Sequence, residues 1–166
     1  MRISVMVTFS IERAKQEGMC VGKNVSFIDT PNFGSEPYLI SIGDNTTISF
    51  DVAFVTHDAA TRVIRNLPNQ NKETVIYGKI EIGNNSFIGC RSTILPNVKI
   101  GDNCVIGAGS VVTKDIPSNS VACGAPCKVI GTIDEYIEKH KKDFEYIVSL
   151  PYGEKKKYLT DKLKGV

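Results

Sequence analysis

The sequence predicts a mainly β protein built as a parallel β-helix, a solenoid of short strands and corners. Three observations predict it: an apolar period of six, glycine-led turns at the same period, and small residues two places before each apolar anchor. Ile82, Ile88, Ile94, Ile100, Ile106 and Val112 recur every six residues, and Gly83, Gly89, Gly101 and Gly107 directly follow four of them. A helix needs apolar positions near every 3.6 residues and a coiled coil near every 3.5, so a sustained step of six fits neither. Ser86, Ser92, Val98, Cys104 and Ser110 precede an anchor by two places and so share its side of a strand. One such unit cannot bury its anchor alone; successive coils must stack with the Ile and Val column inside. Handedness does not follow from the spacing.

Taken in order, residues 1–17 ("MRISVMVTFSIERAKQE") form an N-terminal segment expected to be helical. Charge at Glu12 and Arg13 and the lack of a small-residue cleavage site argue against a signal peptide. The solenoid is expected over 18–131. Val21, Phe27 and Phe33 open it at the same step, and Ile42, Ile48 and Phe54 continue it before the main tract. Asp44-Asn45, Asn84-Asn85 and Asp102-Asn103, each after a glycine, supply turn chemistry that tolerates unusual backbone angles. Residues 58–74, "DAATRVIRNLPNQNKET", are too long for an ordinary connection and predict a projecting loop, of the kind that serves as a lid or binding loop. Its Arg62 and Arg65 either meet an anionic ligand or keep the loop soluble.

A helical tail is expected over 132–166. Thr132 and Glu135 form a capping box, and Ile133, Ile137, Phe144 and Ile147 or Val148 would make a buried stripe with His140 upon it. Pro151 and Gly153 punctuate before a second helical stretch, and Lys155 to Lys157 read as a solvated face.

The length, 166 residues, suits one domain with a small appendage. Twenty basic against 18 acidic side chains, evenly spread, give no basic stripe for nucleic acid. No apolar segment is long enough to cross a bilayer, so the expected location is the cytoplasm, at most peripheral to the inner face of the membrane. Cys20, Cys90, Cys104, Cys123 and Cys127 lack CxxC spacing and read as reduced thiols, with no metal site predicted.

The hexads, together with "GAGSVVTKDIPSNSVACGAPCKVIG", resemble the hexapeptide-repeat acyltransferases, and "PNFGSEPYLISIGDNTTISFDVAFVTHD" resembles the branch that O-acetylates sugars and capsular or lipopolysaccharide glycans, near the maltose and galactoside acetyltransferases. The resemblance covers about residues 18–131. It implies a left-handed β-helix, a homotrimer with intersubunit active sites, acetyl-CoA as donor, and a sugar or glycan acceptor. γ-Class carbonic anhydrases also use hexads, but they need three histidine ligands, and this chain has only His57 and His140.

His57, in "FVTHD", falls on the family's catalytic histidine. An imidazole titrating near neutrality suits removal of a hydroxyl proton as that oxygen attacks a thioester. The negative oxygen then formed needs a fixed donor, a backbone NH of a corner or a bound water. Glu36, Asp51 and Asp58 are the carboxylates able to orient the ring or contact substrate. Adjacent side chains on a strand diverge, which counts against Asp58. Asp51 falls where related enzymes carry a substrate-contacting asparagine. The resemblance places Cys90, Ala108, Thr113, Lys114 and Lys128 on the cofactor, with Cys90 at the position of a lining serine and the two lysines as counter-charges for phosphate. Lys128 stands where the family often has arginine, and Gly131 replaces a further arginine of some members. A nucleophilic Cys90 is the competing chemistry, without a histidine beside it in sequence. Two other readings of the whole chain are N-acetylation of an amino sugar or nucleotide sugar, and a catalytically silent scaffold.

Overall fold

The computed structural model describes residues 9–164. They include a left-handed parallel β-helix with three faces. Strands Cys20–Val21, Ile40–Ile42, Ile80–Ile82 and Val98–Ile100 pair in parallel along the first face. The second stacks Ser26–Phe27, Thr47–Ile48, Phe87–Ile88, Val105–Ile106 and Ser120–Cys123, and the antiparallel strand Lys128–Thr132 closes it. The third holds Ala53–Phe54, Thr93–Ile94 and Val111–Val112.

Register explains the period. Ile82 pairs beside Ile100, Ile88 beside Ile106 and Ile94 beside Val112, so every third hexad returns to the same face and one regular coil takes 18 residues. The anchors from Ile42 to Val112 fill the interior, none more than 4% exposed. Burial of each such side chain contributes about 1.5–3 kcal/mol, which drives the stacking.

The corner between the first and second faces is held by two ladders. Asn84 N donates to Asp102 Oδ1 at 2.6 Å, and Asp44 N to Asn84 Oδ1 at 2.8 Å. Beside them Asn85 Nδ2 donates to Asn103 Oδ1 at 2.8 Å and Asn103 Nδ2 to Asn119 Oδ1 at 2.9 Å. Asn45, Asn85, Asn103 and Asn119 all have φ between 50° and 62°, a conformation asparagine tolerates better than most residues. At Gly83, a Cβ would lie 2.5 Å from Asp102 Oδ1, so the ladder's close approach requires glycine there.

Two irregularities shape the rest. Val21 pairs beside Ile42, so the first turn is three residues longer than a regular coil, and it accommodates a 3₁₀ turn at Pro37–Leu39. In the next coil the chain leaves after Thr56. His57–Asp58 pairs antiparallel with Ile76–Tyr77, and Gly78 N donates to Thr56 O at 2.9 Å across the neck. Between them lie helix Thr61–Asn66 and a turn stapled by hydrogen bonds from Arg65 Nε to Thr74 O and from Lys72 Nζ to Leu67 O. Arg65 therefore holds the loop together, whereas Arg62 stays exposed.

At the N-terminal end, helix Ile11–Gln16 starts at Ser10, whose side chain accepts from Arg13 N, and buries Ala14. Residues 1–8 of the expected N-terminal segment lie outside the described residues.

At the other end, Thr132 N donates to Glu135 Oε2 at 2.7 Å and Glu135 N to Thr132 Oγ1 at 3.2 Å, a capping box that opens helix Ile133–His140. The chain divides after Tyr136 into a solenoid unit and a tail unit. In the tail the stripe is not realised: the helix stops at His140, and Ile137, Phe144 and Val148 are 42%, 40% and 90% exposed. A helix of eight residues is too short to sustain itself without a covered face, so the pattern breaks into turns. His140 is only partly buried and faces Asp143 at 3.7 Å. The following helix, Tyr152–Lys162, contains Gly153 rather than starting after it, and Glu145 accepts from Tyr158 Oη at 2.7 Å and from Lys162. Among the described residues no helix is long and apolar enough to cross a membrane.

Candidate active site

The two irregularities meet. The longer first turn presents Ser35 and Glu36 to the point where the second coil breaks, at Thr56 and His57. Asn32 Oδ1 accepts from Gly34 N at 2.9 Å and bends the chain toward that point. Gly34 has φ +66°, and a Cβ there would lie 3.1 Å from Thr56 Oγ1, so glycine lets this segment lie against the coil.

Glu36 receives three donors. Its Oε2 accepts from Thr56 Oγ1 at 2.6 Å and from His57 Nδ1 at 2.9 Å, while Oε1 accepts from the Ser35 hydroxyl at 2.7 Å. Burial pushes the carboxyl upward, but hydrogen bonds from Thr56, Ser35 and His57, together with the charge of the imidazolium, outweigh it and leave Glu36 below its ordinary value. Glu36 is thus a carboxylate near neutral pH and offers no proton to the ring. Nδ1 must then carry the hydrogen in the 2.9 Å bond, and in the neutral ring Nε2 keeps its lone pair. The His57 side chain is 35% exposed and that of Glu36 11%, so the carboxylate sits behind the ring rather than beside it in solvent.

His57 lines a cleft of about 450 Å³ together with Ala60, Ile76, Leu95, Pro96 and Thr113. The Tyr77 ring stands edge-on to the imidazole with centroids 5.9 Å apart. Leu95 and Thr113 come from the following two coils, because Val55 N donates to Ile94 O and Leu95 N to Val112 O. The cleft therefore runs along the corner between the third and first faces.

The candidate residues divide among several places. Glu36 contacts His57. Asp58 does not: its Oδ1 accepts from Ala60 N at 2.8 Å, folding the start of the excursion. Asp51, with φ 57°, lies on the corner between the second and third faces, 3.6 Å from Arg91 Nε, and both side chains are exposed. On that same corner, Gly109 N donates to Cys90 O at 2.8 Å, which sets Ala108 and Gly109 over Cys90. Cys90 and His57 thus flank the third face from opposite edges. Thr113 and Lys114 are exposed on the edge that carries His57, and Lys128 is exposed opposite Cys123 in the closing hairpin. Among the described residues no group of three or more His, Cys, Asp or Glu side chains is arranged to hold a metal ion.

Two groups were not singled out from the sequence, Ser35 and Thr56. Each is a hydroxyl residue adjacent to a candidate, in "GSEPY" and "FVTHD", and that adjacency was the available signal.

Comparison with known proteins bears on the family and the fold. A family model described as bacterial transferase hexapeptide (six repeats) matches residues 79–114. CapG of Staphylococcus aureus is 45% identical over 157 residues, covering 93% of this chain and 90% of CapG. Among solved structures, a maltose O-acetyltransferase from Clostridium difficile 630 is 31% identical and superposes over 73% of each chain with a TM-score of 0.55. A galactoside acetyltransferase in complex with coenzyme A is 34% identical over 76% of this chain and 71% of its own, with a TM-score of 0.51.

Proposed function

The chain belongs to the bacterial hexapeptide-repeat transferases, and from that premise we propose that it transfers an acetyl group from acetyl-CoA to a hydroxyl of a sugar or glycan, with His57 as general base. The observation that carries this reading is the 2.9 Å bond from His57 Nδ1 to the buried carboxylate of Glu36, with His57 lining a cleft. A base needs an unprotonated nitrogen facing the acceptor and a partner that steadies the cation it becomes; the pair meets both needs.

Acetyl-CoA supplies the acetyl group activated as a thioester. His57 Nε2 takes the proton of the acceptor hydroxyl, Glu36 steadies the resulting imidazolium, and the ring holds that proton ready for the departing sulfur. No residue of the chain need be acylated. The exposed corner residues suit the donor: Gly109 has φ +70° with open space where a Cβ would stand, leaving the backbone beside Ala108 approachable by a pantetheine arm. Cys90 lines that corner, Thr113 shares the cleft of His57, and Lys114 and Lys128 supply ammonium groups for phosphate. A homotrimer with active sites between subunits, acting in surface-polysaccharide assembly, completes the reading.

The test is acetyl-CoA consumption over a panel of free sugars, nucleotide sugars and oligosaccharides, with CoA binding followed separately, in wild type and His57→Ala. Sugar-dependent turnover lost in the variant while CoA still binds is the expected result. Undiminished turnover in His57→Ala removes the ring from this role, and preference for an amine acceptor replaces O-transfer by N-transfer.

A further inference from the structure

Three features fall outside the reading so far: the asparagine-lined corner, the aromatic and lysine-rich tail, and the buried hydroxyl of Thr56. The first is accounted for by its own ladder bonds, and nothing on the tail points to a partner. Thr56 is different. It is 1% exposed, lies next to the reacting histidine, and donates to the same oxygen that holds the ring.

We propose that Thr56 is a positioning residue for His57, acting through Glu36: its hydroxyl occupies one lone pair of Oε2, fixes the carboxylate's orientation, and moderates how strongly that oxygen holds the imidazole. The inference rests on the reading of His57 as the base, yet its physical content can be measured without turnover.

The geometry is over-determined at Thr56. Its carbonyl accepts from Gly78 N at 2.9 Å and closes the neck of the excursion, so its backbone cannot drift. Its side chain meets Glu36 Oε2 at 2.6 Å, a short distance typical of a hydroxyl donating to a carboxylate. Gly34, whose absent Cβ would come 3.1 Å from Oγ1, keeps the opposite wall clear. Ser35 serves the other oxygen from an exposed position.

Two donors on one oxygen compete for its charge. With Thr56 in place, less negative charge is available to the imidazolium; without it, Oε2 holds the cation more tightly and the ring protonates at higher pH. The titratable groups set against the pair are Tyr77, edge-on to the ring, and Asp58, whose carboxylate is turned to Ala60 N.

The chain has only two histidines, so in a His140→Gln background a single imidazole remains for nitrogen NMR. Wild type should show the Nδ1–H tautomer in the neutral ring. Thr56→Val, close in shape but without the hydroxyl, should raise the His57 midpoint by about 0.5–1 pH unit, while Thr56→Ser should stay within about 0.2 units of wild type. Thr56→Ala, which removes the same hydroxyl with a smaller side chain, should shift it the same way and decides the matter should Thr56→Val fail to fold, while Ser35→Ala, acting on Oε1, should shift it less. A folded Thr56→Val that titrates like wild type with its tautomer unchanged overturns the proposal and leaves Thr56 a satisfied core hydroxyl; so does an unshifted Thr56→Ala where Thr56→Val cannot be measured. Loss of the base assignment would show separately, as undiminished turnover in His57→Ala.

Discussion

At the corner between the first and second faces, successive coils repeat one another: Asn45, Asn85, Asn103 and Asn119 share a left-handed backbone conformation, and their neighbours pass hydrogen bonds from coil to coil. At the corner between the third and first faces no two coils match. One leaves for an excursion at His57, the next turns at Asn97 with φ 62°, and the next carries Thr113 and Lys114 before Ile116 rejoins the first face. The repeating corner passes hydrogen bonds from coil to coil through its own side chains. The irregular one instead sets the His57 imidazole, held by Glu36, on the wall of a cleft, whereas the cleft along the repeating corner is lined largely by asparagines and small side chains. In the proposed reading the solenoid separates two tasks by position: the regular corner stabilises and the broken corner presents the chemistry.

That contrast predicts that substitutions at the irregular corner reduce rate with little loss of stability, and that those at the ladder do the reverse. The largest effect belongs to His57→Ala, expected to lower kcat/KM by about 10³-fold with CoA affinity unchanged, as loss of a general base does. A denaturation midpoint that fell together with the rate would break the comparison.

Glu36→Gln should follow, with a rate loss of about 10²-fold from an ill-fixed tautomer. It also carries a pH signature. Because the folded carboxyl lies below its ordinary value, its contribution to stability is fully present above the unfolded value and is lost as pH falls through the folded one. Wild type should therefore lose stability on acidification in a component that Glu36→Gln lacks, measurable by urea unfolding at a series of acidic pH values.

Gly83→Ala tests the ladder. The new Cβ meets Asp102 Oδ1 and the Gly101 carbonyl carbon within 2.6 Å, so a stability loss of about 1–3 kcal/mol is expected, with turnover per folded molecule unchanged. Asn103→Ala should cost about 1–2 kcal/mol by the same measurement, since it places alanine at φ 54° and removes bonds on both sides of the ladder. Smallest is Asp51→Asn, which breaks an exposed pair with Arg91 and should alter stability by less than about 0.5 kcal/mol.

The same division governed what could be read in advance. The anchors from Ile42 to Val112 were legible because a repeat states the same rule many times, and each instance confirms its neighbours. His57 was legible as a candidate through its motif and through the break in that rule. The choice among Glu36, Asp51 and Asp58 was not: the partner lies 21 residues away, and three extra residues in one turn bring it there. Asp58, adjacent in sequence, is held instead by Ala60 N. In the tail, a helical stripe was inferred from spacing alone, and without a covered surface the spacing did not suffice.

The sequence by itself determined the coil, its faces and its buried column, because a period of six with apolar anchors has one economical way to leave water. Only the tertiary structure decided which carboxylate holds the histidine and which hydroxyls hold the carboxylate. Those bonds join segments whose separation follows from the lengths of two irregular loops, and hydrogen bonds of 2.6–2.9 Å admit no error in that separation.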